Sequence, residues 1–234
     1  MSISRNQLFQ QVWEQKLDGN RQFKYCLGAN QRVDAAAKIL GPGERLLDVG
    51  CGSGTLGMAV SGKFHRVFGV DVADSAVEVA SKNGVIASRV DLNCETLPFE
   101  AEFFDAVAFL SAIAYIYDPY DALRECHRVL KKNGMLVLTS ANMRTFGKLF
   151  KIAIEGRFPT TSKGVRVGYD GGALHYFCAA DLIALLTRAQ FEVVDKQGIF
   201  YKPRHFRFFE RVFLLRGITS EFLAGEILVT AKKV

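Results

Sequence analysis

Long apolar runs are missing from this chain. The longest near-apolar stretch, 106–117, falls short of the ~20 residues a spanning helix needs, so it is read as a buried strand and its exit. Residues 1–18 lack the apolar core of a signal peptide. Paired cysteines are missing too. Cys26, Cys51, Cys94, Cys126 and Cys178 are odd in number and scattered, and none forms a Cys-x-x-Cys pair. That argues against a disulfide framework and against a zinc site, and it fits a reducing, cytoplasmic setting with no metal. No long Lys/Arg run accompanies the formal charge of +6, so no nucleic-acid footprint is expected. The charge suits an anionic substrate or an acidic partner surface; peripheral membrane contact is compatible with it but not favoured. Repeats and low-complexity tracts are absent as well. With 49% hydrophobic and 23% charged residues, long disorder is not expected, and 234 residues suit one α/β domain.

What the chain does have is alternation. Short β-rich runs exchange with helical patterns, the signature of a parallel sheet with crossover helices. The region to Leu40 reads helical, with Val33, Ala36, Ala37 and Leu40 on one face, and Gly41-Pro42-Gly43 stops it. Strands are expected over 45–50, 66–72, 86–92, 104–111 and 135–140. The first is almost continuously apolar, as in strands buried on both faces. Helices are expected from Thr55, over 74–82 with Asp74 as cap, from Asp118 and Pro119 with Gly134 closing, over 145–154 and over 179–189. Two final strands, 191–200 and 226–232, bracket a basic, aromatic segment over 201–222.

The chemistry starts where the first strand ends, at Asp48-Val49-Gly50-Cys51-Gly52-Ser53-Gly54. Glycines there let the backbone turn tightly and approach a ligand, and the next helix points free N–H groups at it. Gly52, Gly54 and Gly57 satisfy the dinucleotide fingerprint, which alone is a weak signal. The other frame is Asp48 followed by Gly50, Gly52 and Gly54. An acid just before the glycines repels a pyrophosphate and suits a cationic ligand. S-adenosylmethionine (SAM) carries an ammonium and a sulfonium, so this frame favours SAM over NAD. Asp71, beside Val72, ends the second strand 21 positions after Gly50 and can take both ribose hydroxyls of either ligand. Its plainer alternative is a capping or solvent-facing carboxylate. At the end of the third strand, Asp91 is preferred over Asn93 as the contact for an adenine amino group, with Leu92 between them.

These residues resemble a known family. Leu46-Leu47-Asp48-Val49-Gly50-Cys51-Gly52-Ser53-Gly54 looks like motif I of class I SAM-dependent methyltransferases, and Gly69-Val70-Asp71 looks like their ribose-binding motif. Leu97-Pro98-Phe99 with Phe104-Asp105-Ala106-Val107, and the stretch from Arg124 through Gly134-Met135-Leu136, resemble the family's entries to strands four and five. The resemblance covers about 31–142. It implies a Rossmann-like fold: a seven-stranded, mostly parallel sheet with an antiparallel C-terminal strand and helices on both faces. It also implies a pocket of Asp48, Gly50, Cys51, Gly52, Gly54, Asp71, Val72, Asp91, Leu92, Asn93 and Ser111 for SAM, with S-adenosylhomocysteine as product. A narrower resemblance, through Gln31-Arg32-Val33-Asp34, Gly156-Arg157-Phe158-Pro159 and Leu174-His175-Tyr176-Phe177, is to the MetW group of methionine biosynthesis. It implies a partner protein of a homoserine acyltransferase as the alternative to an enzyme. Two departures matter. Ser111-Ala112-Ile113-Ala114-Tyr115-Ile116 stands where many relatives carry a Glu and a His, so no catalytic His transfers there. The Asn-Pro-Pro-Tyr motif of adenine and glutamine methylases is missing.

The expected reaction is methyl transfer from SAM to a small or medium-sized metabolite. The protein chiefly aligns the reactants, and a general base is needed only if the acceptor must lose a proton. His175, after Gly171-Gly172, is the base candidate, with Tyr115 and Tyr169 behind it; the plainer reading of His175 is a packed or helix-capping side chain. The insertion 141–176 and the segment 201–222 are candidate lids. For 201–222 an amphipathic helix packed on the core is preferred to a membrane or partner helix. A homodimer is compatible with the sequence.

Overall fold

The computed structural model describes residues 30–159, 172–200 and 221–234, together with Gln7, Phe9, Gln10, Gln11 and Glu14. Tyr169, Gly171, Cys26 and all of 201–222 except Glu221 and Phe222 lie outside the described residues. The described elements are α1 (Gln31–Ile39), β1 (Gly43–Val49), α2 (Thr55–Ala59), β2 (Phe64–Asp71), α3 (Asp74–Lys82), β3 (Ile86–Arg89) and β4 (Phe104–Leu110). A 3-10 turn (Ile113–Tyr115), α4 (Pro119–Val129), β5 (Leu130–Ala141), α5 (Phe146–Glu155), α6 (Ala179–Arg188), β6 (Phe191–Ile199) and β7 (Glu226–Lys233) complete the set.

The seven strands form one sheet in the order β3-β2-β1-β4-β5-β7-β6. Every pair is parallel except those of β7, which runs antiparallel to both β5 and β6. The chain builds outward from β1 to β3, then returns to place β4 on the other side of β1. That reversal opens a crevice beyond the carboxyl ends of β1 and β4, where open α/β sheets take ligands.

Alternation along the central strands divides the core between two faces. Leu47, Val49, Val107, Phe109, Leu136 and Leu138 meet Leu123, Cys126 and Val129 of α4 and Leu182 and Leu186 of α6. Leu46, Ala106, Ala108 and Val137 meet Val33 and Ala36 of α1, Leu56 of α2, and Val60. Phe68, Phe99, Phe103 and Phe104 close one end of the core with edge-to-face contacts such as Phe99–Phe104, 4.9 Å between ring centroids.

Element boundaries show what local signals miss. Asp118 caps α4 as expected, accepting from Tyr120 N and Asp121 N, with Pro119 at the first helical position. Gly134 does not close that helix. α4 ends at Val129, and the left-handed residue is Asn133, φ +61°. Chain pairing starts at once, Leu130 against Phe104, so Lys131 leaves the helix end and pairs with Asp105. Gly134 is instead a close approach, since a Cβ there would stand 2.7 Å from Leu130 Cγ. Asp74 is not the cap of α3; Ala73 holds that position and makes no side-chain cap bond. β3 stops at Arg89, so Asp91 and Leu92 sit in the turn beyond it.

Gly69 of β2 faces the turn after β1, and a Cβ there would meet Cys51 Sγ at 2.8 Å and Val85 Cγ1 at 2.9 Å, whereas a Cβ at Gly41 meets nothing within 4 Å. Gly69→Val therefore lowers stability by about 1–3 kcal/mol or more through overpacking, while Gly41→Ala stays within about 0.5 kcal/mol of the parent. Urea unfolding of the two variants measures the difference; equal midpoints would contradict the packing described.

Candidate functional site

β1 delivers the chain into a turn with three left-handed glycines. Gly50, Gly52 and Gly54 have φ of +73°, +53° and +73°, conformations that strain a residue carrying a Cβ. A Cβ on Gly50 would also stand 2.5 Å from the Cβ of Ala112, and one on Gly54 2.9 Å from Val85 Cγ2. Gly54 is the N-cap of α2, so the first turn of that helix opens from the glycine loop.

The loop is bonded to the end of β2. Gly50 N and Cys51 N both donate to Val70 O, at 2.8 and 3.0 Å. Gly52 N donates to Asp71 Oδ2 at 2.9 Å, and Asp71 Oδ1 accepts from Ala73 N at 3.1 Å. Asp71 thus holds both the glycine loop and the turn through Val72 into α3.

Asp48 lies buried beneath the loop. Burial, and then the charge of Asp71, push its carboxyl up to about 7, with Arg32 acting in the opposite direction. Cys51 is buried beside it, and the same burial and negative charges push its thiol far up. A thiol held protonated is no nucleophile.

Beyond β3, Asp91 and Asn93 form one unit rather than alternatives. Asp91 Oδ1 accepts from both the backbone N and the side-chain Nδ2 of Asn93, each at 3.0 Å. Asn93 Oδ1 accepts from Tyr117 N at 2.7 Å, which ties this turn to the segment after β4. Leu92 lies between them, half-buried against the core.

Ser111 follows β4 directly in the left-handed region, φ +62°, uncommon for a residue with a Cβ. Its hydroxyl joins a polar group assembled from four elements. Arg32 of α1 donates to Ser111 Oγ at 2.6 Å and to Glu226 Oε1 at 3.1 Å. Thr139 Oγ1 of β5 is 3.2 Å from Ser111 Oγ. Glu226, the first residue of β7, is buried, and its Oε2 has no hydrogen-bond partner among the described residues. Asn142 holds the approach to β7, its Nδ2 donating to Glu221 O and Ala224 O, both at 2.9 Å. Sequence reasoning singled out only Ser111 here. Arg32, Thr139 and Glu226 carry no local pattern that assigns them a role; the one local signal is a charged residue placed directly before the apolar run Ile227-Leu228-Val229.

His175 stands apart from the glycine loop, over the segment after β4. Its backbone N donates to Ala114 O, its ring lies 5.8 Å from that of Phe177, and Nε2 is 3.2 Å from Tyr117 O. It does not cap α6, whose N-cap is Cys178. A carbonyl only accepts, so this bond places the proton of the neutral ring on Nε2 and leaves Nδ1 as the basic nitrogen.

Known proteins share this arrangement. Residues 47–138 match the methyltransferase domain family. The chain is 29% identical, over 194 residues, to the ubiquinone biosynthesis O-methyltransferase of Xanthomonas campestris pv. campestris strain B100, covering 80% of this chain and 78% of that protein. A SAM-dependent methyltransferase of Thermotoga maritima has the same fold, with a TM-score of 0.60 and 24% identity over 87% of this chain and 88% of its own. The [4+2]-cyclase SpnF is also similar, with a TM-score of 0.63 and 25% identity over 92% and 84% of the two chains. The sheet order and these likenesses show that the chain has the Rossmann-like fold of the Thermotoga maritima SAM-dependent methyltransferase, and residues 47–138 carry its similarity to the methyltransferase domain.

Proposed function

We propose that the chain is a SAM-dependent methyltransferase acting on an oxygen atom of a small or medium-sized metabolite, with SAM held between the glycine loop and Asp71. The observation that carries the SAM assignment is the loop itself: three left-handed glycines bonded to the end of β2 above a buried carboxyl, Asp48, poised near neutrality. The oxygen acceptor rests on the likeness to O-methyltransferases of ubiquinone biosynthesis. The fold cannot choose the acceptor, since it also serves a cyclase.

The first turn of α2 opens from the loop, and its backbone N–H groups suit the carboxylate at the amino-acid end of SAM. Asp48 and Asp71 supply negative charge, Asp71 with lone pairs toward the ribose hydroxyls. Gly50, Cys51, Gly52 and Gly54 form the floor, with Val72, Leu92 and the Asp91–Asn93 pair on the adenine side and Ser111 on the methyl side. SAM, when bound, brings a methyl group on a sulfonium that is its own leaving group. The residues around it therefore have mainly to bind, align and exclude water. His175 Nδ1 is the group assigned to receive a proton from the acceptor.

Calorimetry separates the cofactors: SAM and S-adenosylhomocysteine bind, and NAD does not. Tight SAM binding without turnover of any phenolic or other hydroxyl acceptor would favour a partner protein of the MetW kind.

The Asp48 carboxyl sets the pH dependence. A cation beside it favours the ionised form, which below about pH 7 requires release of a proton on binding. SAM affinity then rises between about pH 6 and 8, by up to about tenfold. Asp48→Asn binds more weakly and with a flat profile; a flat profile in the parent chain would remove Asp48 from the site. Stability of the ligand-free protein runs the other way. The folded state keeps a proton that the unfolded chain loses near 3.8. Stability therefore falls as pH rises from 3.8 to about 7 and levels above.

His175→Ala lowers kcat by about 10²–10⁴-fold if the ring takes the acceptor proton. Unchanged kcat with a normal SAM affinity assigns the ring to packing on Phe177.

A further inference from the structure

Amphipathic helices in this fold bury their apolar side. α4 buries Ala122, Leu123, Cys126 and Val129, and α6 buries Ala179, Leu182 and Leu186. α5 buries nothing. Phe146, Leu149, Phe150, Ala153 and Ile154 recur at i, i+3, i+4, i+7 and i+8, one stripe along the helix. Phe146, Phe150 and Ile154 are 55%, 57% and 69% exposed, and Phe158 just beyond is 73% exposed. Exposure of this kind is not spread over the molecule. Of the twelve exposed large apolar side chains among the described residues, nine belong to Tyr117, to 146–158 or to 174–176. All nine follow the carboxyl ends of β4 and β5.

The cations lie on and beside the same helix. Arg144, Lys148, Lys151 and Arg157 stand against a single acid, Glu155, within 144–158. Arg144 is shared with Glu221, and Lys148 Nζ reaches back to Asn142 O. Lys151 and Arg157 are exposed. A second copy is a poor occupant. A two-fold contact sets a patch against itself, which here brings cations against cations. An anionic lipid surface meets both features, since acyl chains take the apolar stripe and headgroup phosphates take the cations.

We propose that α5 and the stretch 156–159 dock the protein on an anionic phospholipid surface. Phe150, Ile154 and Phe158 enter the headgroup–acyl boundary beside Phe146, whose ring stacks on Phe222 at 4.8 Å, and Lys151 and Arg157 lie at headgroup phosphates. The charge of +6 and the segment 201–222 are compatible with membrane contact without favouring it; among the described residues the exposed apolar stripe lies on α5. Since α5 leaves β5 through Asn142 and Met143, docking sets the crevice mouth toward the lipid. The proposal does not depend on methyl transfer.

Flotation of the full chain with vesicles tests it. The parent protein floats with phosphatidylcholine vesicles containing phosphatidylglycerol, not with phosphatidylcholine alone, and high salt weakens the binding. Phe150→Glu with Ile154→Glu weakens it at least about tenfold, and Lys151→Gln with Arg157→Gln weakens it less. Both double variants keep the parent's SAM affinity and circular dichroism, because the altered side chains are exposed. A parent chain that stays soluble with both vesicle types overturns the proposal. So does equal binding to neutral vesicles, flotation unaffected by the Glu pair, or a concentration-dependent dimer that the Glu pair abolishes. Loss of SAM binding in the parent would count against the cofactor assignment and leave this one standing.

Discussion

Asp71 and the N–H of Gly52 make the contact on which the site depends. One hydrogen bond joins the end of β2 to the middle of the glycine loop, and two more from Gly50 and Cys51 to Val70 O close the turn beside it. A loop of three left-handed residues has little order of its own, because glycine gains conformational freedom in the unfolded chain. Here its shape is imposed from outside, by a neighbouring strand, by Ala112 and by Val85. The shape of the loop is thus fixed before any ligand arrives.

Electrostatics follows from the same packing. β1 is central, so Asp48 is carried into the interior along with Leu46, Leu47 and Val49. Its burial is a cost to the free protein that a cationic ligand offsets. Arg32 is drawn toward the same edge and holds Ser111 and Glu226. The opposed charges of Asp48, Arg32 and Glu226 lie over the crevice at which the sheet order reverses. A zwitterionic ligand and a proton-losing acceptor both call for charges of two signs at close range.

Apolar exposure has a similar origin in topology. The segments after β4 and β5 leave the sheet at its carboxyl edge, where the crossover helices no longer cover them. α4 turns back and packs; α5 does not. The same edge therefore holds both the polar crevice and most of the exposed large apolar side chains among the described residues.

The order and kind of the described elements were legible in the sequence, because apolar periodicity and turn residues are local. Gly50, Gly52, Gly54 and Asp71 were legible for a sharper reason: only certain residues tolerate that turn, and a carboxylate at a strand end is conspicuous. Boundaries were less so. Gly134 looked like a helix stop, but the pairing of Leu130 with Phe104 ended α4 earlier, a contact 26 residues distant in the chain. Asp91 and Asn93 looked like rivals until their mutual bonds were formed. Residue types and spacings by themselves determined the sheet, the glycine loop and the acids that mark it, since each is set by backbone geometry within a few residues. Tertiary structure alone decided that Arg32, Ser111, Thr139 and Glu226 meet, that His175 leans on Tyr117, and that α5 stays uncovered. Those outcomes depend on which distant segments the sheet brings together, and no local pattern carries that distance.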